Sequence, residues 1–186
     1  MKKLLGVLAF ILVLSLYTKT VYANQKIVNL LKEGEKIVFI RHAHAPGNGD
    51  PDNFDIKKCS TQRNLNNDGI SQSKKIGDFF SKNNIQIDKV LSSEWCRCKE
   101  TAQIAFKTFE VFNALNSFYD ARFEKNKTNQ IKNLKNFIHN WNGNKNLILV
   151  THYVVISEIL GIGVSSGEIV ISNKKFSIQG TLEINK

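Results

Sequence analysis

Three compact apolar runs in the chain show no alternation of polar and apolar positions. They are KIVFI at 36–40, KVLSS at 89–93 and NLILVT at 146–151. Runs of this kind are typical of strands that are covered on both faces, as in parallel sheets. Two further β-rich runs within 167–184 flank the polar residues 173–175, a pattern that predicts an edge hairpin.

Helical periodicity fills most of the chain between these runs. The predicted helices are a short leading helix at 28–32, one from about 68 to 84, one whose buried face carries Cys98, Ala102, Ala105, Phe106 and Phe109, one at 127–141 and a short one at 154–160. Segment 109–118 is ambiguous, and we expect it to form a strand that runs into a loop. Strands that alternate with helices predict an α/β sandwich, with a single domain over 24–186.

The first 23 residues follow a different pattern, with two lysines, an apolar run from Leu4 to Tyr17 and a polar tail that ends at Ala23. This layout predicts a secretory signal cleaved after Ala23. The apolar run is shorter than the ~20 residues that span a bilayer, so an uncleaved anchor is the less favoured alternative. We therefore expect export to the periplasm or the medium, without stable membrane insertion after cleavage.

Charge and cysteine content narrow the class of partner. The formal net charge is +10, and residues 1–23 hold three lysines and no acid, which leaves +7 for residues 24–186. A positive balance favours anionic ligands, but basic and aromatic residues do not interleave as in single-strand binders, so nucleic acid is not an expected partner. The three cysteines, Cys59, Cys96 and Cys98, all lie in the part expected to be exported, where one bridged pair is favoured.

Arginine and histidine side chains follow the ends of all three apolar runs. Arg41 and His42 come directly after the first, Arg97 follows the second within four residues, and His152 follows the third. Ligands of open α/β sheets bind at the carboxyl ends of the strands, so we expect these four side chains to converge there. His139 lies in the middle of a predicted helix and is expected to be structural.

Two arginines and two histidines suit phosphoryl transfer without a metal. Guanidinium groups match phosphoryl oxygens as bidentate donors, and a neutral histidine nitrogen can attack phosphorus to give a phosphohistidine that water hydrolyses. The main alternative is a metal-dependent hydrolase that uses His42 and His44. Such sites need further histidines and carboxylates, and Asp50 is the only carboxylate near either strand-end histidine.

Ordered motifs carry a family resemblance. They are R-H and a small residue at 41–43, L-x-x-x-G-x-x-Q at 65–72, S-x-x-x-R-x-x-x-T-A at 93–102 and T-H at 151–152. Together they resemble the histidine phosphatase superfamily in its phosphoglycerate-mutase-like branch 1. The stretches APGNGDP, CSTQRNL, SSEWCRC, LNSF and SSGE resemble a small exported subgroup. The resemblance implies a three-layer α/β/α sandwich with a mostly parallel central sheet, and no cofactor.

The resemblance also implies roles for individual residues. His42 would be the nucleophile that becomes phosphorylated, and Arg41, Arg97 and His152 would bind the phosphoryl group and stabilise the transition state. It makes Cys98 a buried thiol and turns Cys96 toward the loop of Cys59. A Cys59–Cys96 disulfide there would tie down the pocket rim and set Arg63 to face the substrate.

Two positions depart from the family pattern. Ala43 stands where glycine is usual, so the backbone there must tolerate a Cβ atom. Many members carry a glutamate proton donor in an L-N-E stretch, and the matching residues 115–117 read L-N-S. Because protonation of a leaving oxygen normally needs a positioned acid, Asp120 is our candidate, with Glu124 behind it. The alternative is that no side-chain acid acts, which suits a phosphoramidate or an acyl phosphate.

The sequence therefore predicts an exported, metal-independent phosphomonoesterase that works through a phosphohistidine on His42. Its substrate would be a phosphorylated small molecule or envelope component. A non-catalytic binder of phosphorylated envelope components, using the same pocket, is the second hypothesis.

Overall fold

The computed structural model describes residues 24–186, and the predicted signal segment lies outside the described residues. The strands are β1 (Ile37–Arg41), β2 (Ile87–Ser92), β3 (Glu110–Val111), β4 (Asn146–Thr151), β5 (Ile169–Ser172) and β6 (Ile178–Leu182). They form one sheet in the order β3-β2-β4-β1-β5-β6. The first four strands are parallel to one another, and β5 runs antiparallel to both of its neighbours.

Helices cover both faces of the sheet. They are α1 (24–32), α2 (Asn67–Lys82), α3 (Cys96–Phe106), α4 (Ala121–Glu124), α5 (Lys127–Asn140) and α6 (Tyr153–Leu160), with 3₁₀ turns at Cys59–Thr61 and Asn113–Leu115. The predicted helix face that extends to Phe109 is wrong at its end. The chain leaves the helix at Lys107, which has a φ of 69°, and Phe109 lies beyond it. Of these helices, none is both long and apolar enough to cross a membrane.

The unalternating strands are buried on both faces because alternate residues supply two separate cores. Ile37 and Phe39 of β1 pack in a cluster with α5 and α6, while Val38 and Ile40 pack with α1, α2 and α3. All four side chains are fully buried, and each contributes about 1.5–3 kcal/mol relative to an exposed position. The predicted α/β/α sandwich with a mostly parallel sheet is thus confirmed.

The carboxyl ends of three parallel strands lie side by side. Arg41 at the end of β1 is in register with Thr151 at the end of β4, and Ser92 at the end of β2 is in register with Val150. The chain leaves β1 still attached to its neighbour, since the backbone N–H of His42 donates to the carbonyl of Thr151 at 2.9 Å. The arginine and histidine residues that follow these strands therefore reach one edge of the sheet.

Candidate functional site

A cavity of about 140 Å³ opens at this edge of the sheet. All the residues that the sequence predicts for catalysis or phosphate binding line it, except Glu124. The lining residues are Arg41, His42, Asn48, Gly49, Asp50, Arg63, Trp95, Arg97, Ser117, Tyr119, Asp120, Phe123, His152, Tyr153 and Val154. His44 is not among them.

His42 is buried and held in one tautomer. Its Nδ1 lies 2.8 Å from the carbonyl oxygen of Ala43. A carbonyl only accepts hydrogen bonds, so Nδ1 carries the proton of the neutral ring and Nε2 keeps its lone pair. Burial, and then the positive charge of Arg97, lowers the pKa of His42 well below its usual value. The ring is therefore neutral at neutral pH, with Nε2 available as a nucleophile.

His152 lies against His42, with 5.5 Å between the two ring centroids. Its Nε2 is 2.8 Å from the hydroxyl oxygen of Ser93, which itself donates to the side-chain oxygen of Asn116 at 3.1 Å. Burial and the charge of Arg97 also lower the pKa of His152 well below its usual value. These contacts fix a second neutral imidazole in the cavity wall.

Arg97 is bound by a carboxylate that the sequence does not predict as part of the site. Its Nη1 and Nη2 donate to Oδ1 and Oδ2 of Asp50 at 2.7 and 3.1 Å. Burial alone would raise the pKa of Asp50, but the hydrogen bonds and charge of Arg97 outweigh it, and that pKa is lowered. The only signal in the sequence is the position of Asp50 in the glycine-containing loop after His42.

Arg41 and Arg97 share one property that bears on anion binding. Nη1 of Arg41 donates to the carbonyl of Val164 at 2.7 Å. The Nε atoms of Arg41 and Arg97 are both buried and have no hydrogen-bond partner within residues 24–186. A buried donor without a partner is costly, so two in one cavity indicate a site built to receive hydrogen-bond acceptors.

Arg63 lines the cavity, and it also holds the loop in front of it. Its Nε donates to the carbonyl of Gly49 at 2.9 Å, and its Nη1 donates to the carbonyl of Ala45. Burial, and then the positive charge of Arg97, lowers the pKa of Arg63 to about 10. Arg63 thus adds positive charge to the cavity while it fixes the loop that carries Asp50.

Asp120 lies in the cavity wall at the start of α4. Its carboxylate accepts from the backbone N–H of Arg122 at 2.8 Å and from Nε and Nη2 of the same arginine at 2.9 and 2.7 Å. These hydrogen bonds lower the pKa of Asp120 to about 2. At neutral pH the group is ionised and capped by its neighbour, so it carries no proton to donate. Glu124 does not line the cavity.

The segment after the nucleophile is fixed by the residues of the predicted L-x-x-x-G-x-x-Q motif. Gln72 accepts from the backbone N–H of His44 at 2.9 Å and donates to the carbonyl of Ser166 at 2.8 Å. A Cβ atom at Gly69 would lie 2.1 Å from the carbonyl oxygen of His44, so only glycine permits this approach. Ala43 is fully buried, and its φ is not positive, so its methyl group is accommodated without strain.

The predicted disulfide between Cys59 and Cys96 is present. Cys96 directly precedes Arg97, and the side-chain oxygen of Gln62 accepts from the backbone N–H of Cys96 at 2.9 Å. The bridge and this hydrogen bond fasten the segment before Arg63 to the start of α3. The prediction for Cys98 is also confirmed: it is a free buried thiol, and burial raises its pKa to about 12.

Removal of the disulfide should destabilise the protein. Changing Cys59 and Cys96 together to serine should lower the free energy of unfolding by about 3–4 kcal/mol, because the bridge closes a loop with a sequence separation of 37 residues. Urea denaturation followed by circular dichroism measures the difference. Dithiothreitol should destabilise the wild type and leave the double variant unchanged; equal stability of the two proteins without reductant would contradict this.

Within residues 24–186, no group of three or more His, Cys, Asp or Glu side chains is arranged to hold a metal ion. His44 engages Gln72 through its backbone and lies outside the cavity lining. The described part of the chain therefore assembles no ligand set around His42 and His44.

Comparisons with known proteins give a family match. The family model of the histidine phosphatase superfamily (branch 1) matches residues 37–146, more than half of the chain. A search of curated proteins finds no match.

Solved structures share the fold at low sequence identity. The protein histidine phosphatase SixA, complexed with tungstate, is 14% identical with a TM-score of 0.55, over 79% of this chain and 96% of that one. A putative phosphohistidine phosphatase SixA from Agrobacterium tumefaciens is 18% identical with a TM-score of 0.56, over 81% and 98%. A phosphoglycerate mutase from Thermus thermophilus is 14% identical with a TM-score of 0.58, over 81% and 99%.

Proposed function

Because the chain belongs to the histidine phosphatase superfamily, branch 1, we propose that it hydrolyses phosphorylated substrates through a phosphohistidine on His42. The observation that carries the proposal is the state of that ring. It is buried and neutral, its Nδ1 proton is held by the carbonyl of Ala43, and its Nε2 lone pair is available beside two arginines with buried, unpartnered donors.

The reaction proceeds in two displacements. Nε2 of His42 attacks phosphorus, the bond from phosphorus to the leaving group breaks, and the leaving group departs with the electron pair. Arg41 and Arg97 stabilise the negative charge on the phosphoryl oxygens, and the carbonyl of Ala43 accepts from Nδ1–H as the ring becomes cationic. Water then attacks phosphorus, the bond to Nε2 breaks, and orthophosphate leaves with His42 restored.

The state of the cavity acids favours substrates with a good leaving group. Asp120 is ionised and paired with Arg122, and Ser117 stands where many family members carry a glutamate. We infer that the leaving group departs with little help from a side-chain acid. Phosphoramidates, including phosphohistidine, and acyl phosphates have this property. The fold shared with structures that are named as protein histidine or phosphohistidine phosphatases supports the same substrate class.

The dependence of rate on the leaving group tests this proposal. In a series of aryl phosphates, kcat/KM should fall steeply as the pKa of the leaving phenol rises. No positioned acid protonates the leaving oxygen, so nothing reduces this dependence on leaving-group pKa. A phosphoramidate should be a better substrate than glycerol phosphate. Turnover should persist in EDTA, since the proposed mechanism uses no metal ion.

The matched variant for this experiment is Asp120→Asn. It tests whether Asp120, the proton donor predicted from the sequence, protonates the leaving group. The variant should keep the steep slope and lose less than about threefold in rate, within the range of a side chain outside the chemistry. A shallow slope that Asp120→Asn makes steep would show that Asp120 is the acid. Loss of turnover in EDTA would contradict metal independence.

We also propose that the protein works outside the cytoplasm. The Cys59–Cys96 disulfide supports this, because such bridges persist in oxidising compartments. The substrate would then be a phosphorylated small molecule or envelope component. A non-catalytic binder of such components would use the same cavity, and it differs from the enzyme in forming no covalent intermediate.

A further inference from the structure

The hydrogen bonds of Arg97 divide its guanidinium group into two edges. The end-on edge, formed by Nη1 and Nη2, is occupied by both carboxylate oxygens of Asp50. The second proton of Nη1 goes to the carbonyl of Arg63 at 3.1 Å. The planar group keeps one further pair of parallel donors, Nε–H and the outer proton of Nη2.

The remaining edge offers the pair of donors that a phosphoryl-binding fork requires. Nε of Arg97 is buried and has no partner in the described part of the chain, and the residue lines the same cavity as His42. Two parallel N–H donors match two oxygens of a phosphoryl group. Asp50 and a phosphoryl group can therefore bind Arg97 at the same time, one on each edge.

Asp50 is itself held from several directions. It accepts from the backbone N–H of Arg63 at 3.0 Å and from the indole N–H of Trp95 at 2.9 Å, in addition to Arg97. The Trp95 ring in turn lies edge-on against His152, with 5.3 Å between the ring centroids. The carboxylate thus links the loop after His42 to three residues of the cavity wall.

We propose, on the basis of the proposed function, that Asp50 is a positioning residue that holds Arg97 with its Nε–Nη2 edge toward the phosphoryl group. The alternative is that Asp50 acts as a gate, which would release Arg97 when substrate binds. Only 4% of the Arg97 side chain and 10% of the Asp50 side chain are exposed. A gate would leave a buried carboxylate without its charged partner, which is strongly unfavourable.

The test is a double-variant cycle read by calorimetric titration with orthophosphate. In the wild-type background, Asp50→Asn should weaken phosphate binding about tenfold, because a misdirected donor loses its alignment with the anion. In an Arg97→Ala background the same change should strengthen binding, because there Asp50 only contributes repulsion. Asp52→Asn makes the same substitution two residues further along the loop, where the side chain is exposed and does not line the cavity, and it should change neither value.

Each outcome decides the proposal. Weakening of equal size in both backgrounds, strengthening in the wild-type background, or no binding of phosphate by the wild type would overturn it. Circular dichroism and thermal unfolding verify that the variants fold. Should Asp50→Asn not fold, Asp50→Glu moves the carboxylate by one methylene and should raise the Kd about tenfold; an unchanged Kd would overturn the proposal.

Failure of the proposed function gives a different result. A wild-type protein that binds phosphate and shows the reversal of sign, but does not hydrolyse aryl phosphates, would retain the role of Asp50 and refute the phosphatase. A protein that hydrolyses aryl phosphates but shows no reversal of sign would retain the phosphatase function and refute the role of Asp50.

Discussion

Changing His42 to asparagine should lower kcat by about 10⁴-fold or more, the scale of loss when a nucleophile is removed from a covalent mechanism. The amide is uncharged, planar and smaller than the ring, so it fits the buried position beside Ala43. It has no lone pair that can form a stable bond to phosphorus. The loss is measured by the hydrolysis of an aryl phosphate, monitored through the release of the phenol.

The matched control is His44→Asn. His44 lies two residues further along the chain, outside the cavity lining, and its contact with Gln72 uses the backbone N–H, which the substitution keeps. This variant should retain activity within about threefold, because it removes no group that contacts the substrate. A loss in His44→Asn as large as that in His42→Asn would contradict the assignment of the nucleophile.

The second large effect is expected at Arg97. Changing it to lysine should lower kcat/KM by about 10³-fold, comparable to the loss of a donor to developing charge. The positive charge remains, but a single ammonium group cannot bind Asp50 with one edge and two phosphoryl oxygens with the other. The same aryl phosphate assay measures the effect, at substrate concentrations that separate kcat from KM.

Arg122→Lys is the control for that substitution. Arg122 does not line the cavity, and its side chain is 41% exposed in the ion pair with Asp120. An exposed ion pair contributes little, so activity should stay within about threefold of the wild type. Equal losses in the two lysine variants would show that the effect of Arg97 is not specific to the cavity.

The strands and the arginine and histidine residues at their ends could be predicted because both are local features of the sequence. A strand buried on both faces needs an unbroken apolar run, and Arg41, His42 and His152 follow such runs directly. The order of parallel strands then places these side chains at one edge of the sheet. The disulfide and the burial of Cys98 followed from the family resemblance.

Other features depend on contacts that no local pattern carries. Asp50 reaches Arg97 because the loop after His42 folds back, and Arg63 holds that loop through the carbonyls of Ala45 and Gly49. The low pKa of Asp120 comes from the geometry of its pairing with Arg122, which spacing alone does not determine. The charge state of this carboxylate could therefore not be predicted without the folded positions of its neighbours.

The central claim is a covalent phosphohistidine on His42, and detection of that intermediate tests it most directly. The protein is mixed with an aryl phosphate or a phosphoramidate, quenched in base, digested and mapped by mass spectrometry. We expect one phosphoryl group on the peptide that contains His42, stable in base, lost in acid and absent in His42→Asn. Turnover of the substrate without any label on that peptide would contradict the mechanism.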